Sequence, residues 1–281
     1  MEADKIPCSV LILTRNSAPS LDQCLKNLSR FGEILIHDAN SEDNTVEIAK
    51  RYGARVLPQY NTAEKSVRVK DFTEMRLRQR ADAAFDWVLY VDSDEFLSDG
   101  LVDEVGEILK TAHSKVIIKF PRLPVIDGKI KRHGILYPEV MPRIHNRLGG
   151  CTLQPGKLVH EKYVYDATFT EIITSNPLYF PLPAIADLVS KDNRYIFLEV
   201  QKIQTEGYSW GRYFRWILFR EPAIMLSLSL KILFNSYRYL FVQDEVPFIH
   251  EWRYVRYHFR LFRAITGAIL ARSMTAGKKI L

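Results

Sequence analysis

Two carboxylates, Asp92 and Asp94, stand one residue apart at the end of the apolar run Trp87-Val88-Leu89-Tyr90-Val91. Carboxylates at that spacing suit a hard divalent cation, which prefers oxygen ligands and also accepts phosphate oxygens from a substrate. The same residues read equally as a surface turn whose Asp and Ser cap the following helix. Spacing alone does not separate the two. A further carboxyl, Asp38, follows Ile34-Leu35-Ile36-His37 and opens the polar string Asp38-Ala39-Asn40-Ser41-Glu42-Asp43-Asn44-Thr45. Thr14, Arg15 and Asn16 close the run Cys8 to Leu13 in the same way.

These polar groups need elements to hold them. Apolar runs without polar alternation predict parallel strands buried on both faces. Their carboxyl ends are where open α/β sheets bind ligands. Between the strands at 8–13, 34–36, 54–57 and 87–92, helical spacing predicts three helices. The first opens at Pro19 with Ser20 as N-cap. The second is capped by Asn44 or Ser41 and stopped by Gly53, and the third runs from about 71 to 85. A helix over 101–109 and a strand over 116–120 continue a doubly wound α/β pattern. From Pro121 to Pro183 no long helical period is present, which predicts a β-rich half forming the acceptor side of a cleft.

The 281 residues allow one large α/β domain and an appendage, and 47% hydrophobic with 26% charged residues describe an ordinary globular chain. Cys8, Cys24 and Cys151 form neither a disulfide framework nor a zinc pattern, so a reducing compartment is expected. Met1 to Lys5 carry no signal-peptide features, which makes the expected location cytoplasmic.

Charge is uneven. Residues 191–281 hold 15 Lys and Arg against 7 Asp and Glu, whereas the preceding 190 hold 24 against 26. In that last third, Ile196, Val200 and Ile203 set a helical period, and 208–216 is dense in aromatic and basic residues. Pro222 to Phe234 is apolar but broken by Lys231 and too short for a membrane span. Arg253, Arg256, Arg260 and Arg263 follow at i, i+3, i+7 and i+10, beside Trp252, Val255, Phe259 and Phe262. A charge run is usually a solvated face. Here the paired aromatic stripe and the run at 208–216 favour helices lying on an anionic membrane surface, with Pro222–Phe234 as a docking or monotopic element. Nucleic acid, bound through phosphates and stacking, ranks lower and is not expected.

Together the three strand ends resemble the family 2 inverting glycosyltransferases of the GT-A (Rossmann-like, nucleotide-sugar-binding) fold. That family shows T-x-N, here Thr14-Arg15-Asn16; D-x-x-S-x-D-x-T, here Asp38, Ser41, Asp43 and Thr45; and D-x-D, here Asp92 and Asp94. Trp87 to Phe96 is similar to the bacterial lipopolysaccharide-core branch, which reads W-V-L-x-x-D-x-D-E. The likeness covers Pro7 to Phe96 well and continues more loosely to Glu161. It implies a GT-A domain over 1–185 and leaves 186–281 as a helical, basic, membrane-surface region.

The resemblance also implies a chemistry. A sugar would pass from a nucleoside-diphosphate donor, UDP favoured, to a hydroxyl of a lipid-linked or cell-surface glycan at the inner face of the cell membrane. Thr14, Asn16 and Asp38 would serve the donor, with Asp38 on the base. Asp92 would meet the ribose or the metal, and Asp94 would coordinate Mn2+ or Mg2+. Arg76 is a candidate diphosphate or base contact, although the branch's R-N pair is Arg76-Leu77 here. Gly156-Lys157-Leu158-Val159-His160-Glu161 is similar to the branch's G-x-x-H-E element, which makes Glu161 the first candidate for the base and His160 a metal or phosphate contact. Glu139 is second, and Arg143 and Arg147 are candidate phosphate contacts. Asp43 reads as a helix cap, and Arg78 and Arg80 as a solvated helix face.

Two rivals stay open. A nucleotidyltransferase usually carries a Gly-rich basic loop after the first strand, and none follows Leu13. A non-catalytic membrane- or nucleic-acid-binding protein on a degenerate transferase fold is opposed by the intact Asp92/Asp94 pair.

Overall fold

The apolar runs become the inner strands of one sheet. In the computed structural model, which describes residues 5–69, 71–154, 162–206, 210–239, 241–242 and 244–277, Val10, Leu11 and Ile12 are fully buried, as are Val88, Leu89 and Val91. They belong to β1 (Ile6–Thr14) and β4 (Trp87–Asp92), which lie side by side. In chain order, β1 is followed by α1 (Ala18–Leu25), β2 (Phe31–Asp38), α2 (Thr45–Arg51), β3 (Arg55–Pro58) and α3 (Phe72–Asp82) before β4. After it come β5 (Phe96–Leu97), α4 (Asp99–Thr111), β6 (Val116–Ile126), β7 (Lys129–Ile130) and β8 (Glu139–Asn146). The short strands β9 (Thr152–Leu153), β10 (Tyr163–Val164), β11 (Thr170–Ile173) and β12 (Leu178–Pro181) complete the β-rich half.

The main sheet runs β3-β2-β1-β4-β8-β6-β12-β5. Its first four strands are parallel, as the doubly wound reading requires, but β8 lies antiparallel between β4 and β6. The sheet is therefore mixed. Strand order reverses between β1 and β4, and such a switch point opens a crevice at the carboxyl ends of the two strands. Leu21 and Leu25 of α1 and Leu101 and Val105 of α4 pack into the same core. Truncating one such leucine to alanine costs about 2–5 kcal/mol.

Helix ends follow local chemistry, with corrections: Asn44 stands at the N-cap of α2 without a side-chain cap bond while Ser41 bonds Asp38, and α3 ends at Asp82, short of the expected 85. Helix α1 starts after Ser17 rather than Ser20; Ser20 lies in its first turn and donates to the Ser93 carbonyl at 2.9 Å. Helix α2 closes as expected at Gly53, whose φ of +71° suits the left-handed residue after a helix. Gly53 N donates to Lys50 O at 3.0 Å and Ala54 N to Ala49 O at 3.1 Å, the paired bonds of a Schellman ending. Ser98 caps α4 by accepting from Leu101 N at 3.2 Å.

The chain forms two compact units. One comprises the residues up to Val125 with Pro138–Pro181; the other comprises Ile126–Tyr137 with Leu182–Leu281. The second unit holds α5 (Ile185–Glu206), α6 (Trp210–Arg215), a π-helical turn at Trp216–Arg220, α7 (Glu221–Arg238) and α8 (Phe248–Gly277). Its core is Ile196 of α5, Tyr213, Trp216, and Leu261, Ile265 and Ile269 of α8. The expected outward arginine stripe of α8 is divided. Arg253 pairs with Asp192 of α5 at 2.5 Å and Arg260 bonds Asn193, while Arg256 and Arg263 are exposed. Helix packing, invisible to spacing alone, turned half of the stripe inward. Among the described residues, no helix is long and apolar enough to cross a membrane.

Candidate active site

Thr14 and Asp38 end neighbouring parallel strands in register. The Thr14 hydroxyl donates to Asp38 Oδ1 at 2.7 Å, and Ser41 adds its hydroxyl at 2.6 Å and its amide to Oδ2 at 2.8 Å. Gln59 clips the two strand ends together, its Nε2 donating to the carbonyls of Thr14 and His37 at 2.9 Å each. Asn16 adopts φ +50°, a region in which Asn is one of the few tolerated side-chain residues. It accepts from Glu42 N at 2.9 Å and donates to Ser66 Oγ at 2.8 Å, tying three loops together. Thr14, Asn16 and Asp38 are thus brought together as expected. Their side-chain groups, however, are engaged within the chain, and Thr14 and Asp38 are buried. Asp43 is the helix cap the sequence indicated, accepting from Ala18 N and from Thr45 N.

One strand over, the pairing Leu13↔Asp92 puts the D-x-D segment at the switch point. Its two aspartates differ. Asp92 Oδ1 is gripped by Arg76 Nη2 at 2.6 Å. Burial would raise the Asp92 carboxyl, but Arg76, Arg143 and Arg122 outweigh it and hold the group below the ordinary carboxylate range. Asp94 is exposed, and its carboxylate has no side-chain partner among the described residues. Loss of surrounding water and the charge of Asp92 raise the Asp94 carboxyl above its ordinary value. Ser93 fastens the turn between them: Ser17 Oγ donates to Ser93 Oγ at 3.0 Å.

Arg76 is therefore not a free diphosphate contact. Its guanidinium is buried beneath the strand ends, bonding Leu11 O at 3.3 Å and Gln79 Oε1 at 3.2 Å and lying 5.1 Å from the Tyr90 ring centre. Arg143 and Arg147, candidates for phosphate, are likewise committed. Arg143 pairs with Glu95 at 2.6 Å; Arg147 pairs with Asp86 at 3.0 Å and bonds Ala83 O at 2.8 Å. Arg80 is half-buried rather than solvated and donates to Cys151 O at 2.6 Å. Arg78 is exposed, as its spacing suggested.

The residue that sequence reasoning left without a role is Glu95. It is fully buried, its Oε2 accepts from Asp92 N at 3.0 Å, and its Oε1 meets Arg143 at 2.6 Å and Arg122 at 2.7 Å. Burial raises its carboxyl, against the pull of both guanidiniums. Arg122 also reaches Glu139 at 3.0 Å, so one arginine links the second candidate for the base to Glu95, the residue after D-x-D. The only signal for this was the Glu that follows D-x-D. Glu161 and His160, the first candidate for the base and its neighbour, lie outside the described residues.

Among the described residues no three His, Cys, Asp or Glu side chains converge as a metal cage. Asp92 and Asp94 instead form a two-carboxylate donor set. That set fits a Mg2+- or Mn2+-like cation that completes its shell with water and substrate phosphates. A cation there would also offset the like-charge repulsion that raises Asp94.

A mixed sheet with its switch point at T-x-N and D-x-D defines a glycosyltransferase of the GT-A type. The chain belongs to glycosyl transferase family 2, whose profile matches residues 9–156. It is similar to the lipopolysaccharide core biosynthesis glycosyltransferase LpsC of Rhizobium meliloti (strain 1021), at 25% identity over 233 residues covering 81% of this chain and 82% of LpsC. It is also 25% identical over 253 residues to the glycosyltransferase RP128 of Rickettsia prowazekii (strain Madrid E), covering 84% of this chain and 79% of that protein. Among solved structures, TarS of S. aureus aligns over 97% of this chain and 92% of its own, with 14% identity and a TM-score of 0.46.

Proposed function

We propose that this chain transfers a sugar from a nucleoside-diphosphate donor to a hydroxyl of a lipid-linked or cell-surface glycan, with inversion at the sugar carbon. The observation that carries the reading is the unequal aspartate pair at the switch point. Asp92 is fixed by Arg76, and Asp94 is left open beside it. Fixed geometry on one ligand and an unsatisfied charge on the other suit a site that receives a cation together with its diphosphate.

Asp94 and the second oxygen of Asp92 would hold Mn2+ or Mg2+, with His160 as a further ligand. When bound, the ion offsets charge on the departing nucleoside diphosphate. Thr14, Asn16 and Asp38 serve the donor by fixing the loops that receive the nucleotide, UDP being favoured. Arg76 acts through Asp92. Glu161 takes the acceptor proton on the face opposite the leaving group, the task an inverting transfer assigns to a base. Similarity to LpsC supports a lipopolysaccharide or exopolysaccharide acceptor, and with it a peripheral position at the inner face of the cell membrane.

The test is product identity. Incubated with UDP-sugars, divalent metal and bacterial glycolipid, the protein should release nucleoside diphosphate. Glu161→Gln should lose at least about 100-fold in turnover, in line with general-base contributions, while donor affinity is retained. Release of pyrophosphate would make it a nucleotidyltransferase. Unchanged turnover in the variant would move the base elsewhere.

A further inference from the structure

Helix α7 wears its apolar side outward. Ile232 is fully buried, and Glu221 is buried with its carboxylate 2.7 Å from His258 Nδ1 of α8, which fixes the inner face. On the other face, Leu226, Leu230, Leu233, Phe234 and Tyr237 recur at helical spacing. All are more than half exposed, Tyr237 at 81%, and Phe241 just beyond the helix is 94% exposed. Water-exposed leucines and aromatics in a continuous helical stripe mark an interaction surface rather than scattered surface apolarity.

The edge of the stripe identifies the partner. Lys231 and Arg238, seven residues apart, border it on one side, and Arg220 precedes them; all three are exposed. Within Glu221–Arg238 the single acidic residue is the buried Glu221, so the outward surface of the helix carries only positive charge. A second copy of the chain would bring no exposed α7 carboxylate to that basic edge. A helix with an apolar face and a cationic border matches the boundary of an anionic bilayer, where leucine and aromatic side chains enter the acyl region and Lys and Arg stay among the headgroups.

We infer that the exposed face of α7, from Leu226 to Tyr237 with Phe241, is a docking surface for anionic lipid bilayers, on which the helix lies in the plane of the membrane. The inference deepens the peripheral-membrane part of the function proposed above and rests on it for the acceptor alone.

Flotation of the full chain with vesicles tests it, using phosphatidylcholine mixed with phosphatidylglycerol against phosphatidylcholine alone, with UDP binding read in parallel. The protein should float with the mixed vesicles and much less with the neutral ones. Leu230→Glu with Phe234→Glu should abolish flotation. Lys231→Gln with Arg238→Gln should weaken it roughly fivefold for each cation removed. Because all four side chains are on the surface, circular dichroism and melting temperature should not change in either variant. Absence of flotation by the folded wild type overturns the inference, as does equal flotation by the Glu double variant. A dimer that the Glu double variant dissociates would instead assign this face to a second copy. Loss of UDP binding with intact flotation would overturn the transferase reading and leave the docking surface standing.

Discussion

Asp92 and Asp94 stand on one strand end under opposite constraints, and Arg76 makes the difference. The Asp92 carboxylate is oriented by a guanidinium that is itself held by Leu11 O and Gln79. Removing that support should leave the Asp92 carboxylate in place but misaligned for the metal role proposed for it. Arg76→Met is expected to lower turnover by about 10–100-fold, the usual cost of losing an orienting partner. It should also raise the metal concentration needed for half-maximal activity, and Arg76→Lys should recover part of both. A metal titration of the rate decides it; unchanged half-saturation would show that Asp92 needs no help from Arg76. The D-x-D pair was legible because both residues sit at the end of one apolar run. The partners of Glu95 were not. Arg122 and Arg143 lie 27 and 48 residues downstream and reach it only because β6 and β8 fall into register, with Arg122 opposite Glu139. No local pattern encodes that pairing. Arg76, read as a ligand contact, shows the converse: a charge near a site in sequence becomes a buried strut once α3 packs beneath the strands.

At the scale of elements, β8 brings a pH-sensitive group into the sheet. His145 is buried between Tyr90 and Tyr163, with ring centres at 5.7 and 5.5 Å, and neither ring nitrogen has a hydrogen-bond partner among the described residues. Burial first, and then Arg80, push its pKa down to about 3. The unfolded chain binds a proton at about pH 6.5, whereas the folded chain refuses it until about pH 3. Stability is therefore fully present above pH 6.5 and declines as pH falls through that window, by up to about 1.4 kcal/mol per pH unit. His145→Phe should flatten this part of the profile. The difference between the two proteins in denaturant melts at pH 7 and pH 5 isolates it, because the paired carboxylates act in both. Equal slopes would mean that His145 takes up its proton in the folded state. Elements whose signals were local came through from the sequence. Strand ends, the Gly53 stop and the Asp43 cap needed only neighbouring residues. The antiparallel insertion of β8 did not come through, since Glu139–Asn146 begins exposed and buries Arg143, His145 and Asn146 at its far end, so it shows neither an apolar run nor a clean alternation.

Across the whole molecule, the uneven charge marked the last third as distinct, and the structure gives that third its own core and the company of Ile126–Tyr137. The returning segment was hidden because its links are to residues more than 100 positions away, with no local pattern: Arg132 N to Asp244 O at 2.8 Å, Val246 N to His133 O at 2.8 Å, Ile135 N to the Glu251 carboxylate at 2.7 Å, and His133 on Tyr239 at 3.9 Å. Spacing favoured α8 as a lipid-facing helix, with the apolar Pro222–Phe234 stretch as a docking element beside it. The Asp192 and Asn193 partners on α5 claimed two of its four arginines, and the outward apolar stripe fell to α7. In the transferase unit, the family assignment rests on residues 9–156, and the chemistry proposed for it converges on Asp94.

Calorimetric titration of UDP into the full chain, with and without Mn2+, tests that chemistry most directly, run on the wild type and on Asp94→Asn. Binding should require the metal in the wild type and should weaken at least about tenfold in the variant, the lower end of what a lost metal-site interaction costs. Equal, metal-independent binding by both proteins, or none by a folded wild type that also ignores GDP, would contradict a metal-assisted nucleotide-sugar site at the end of β4.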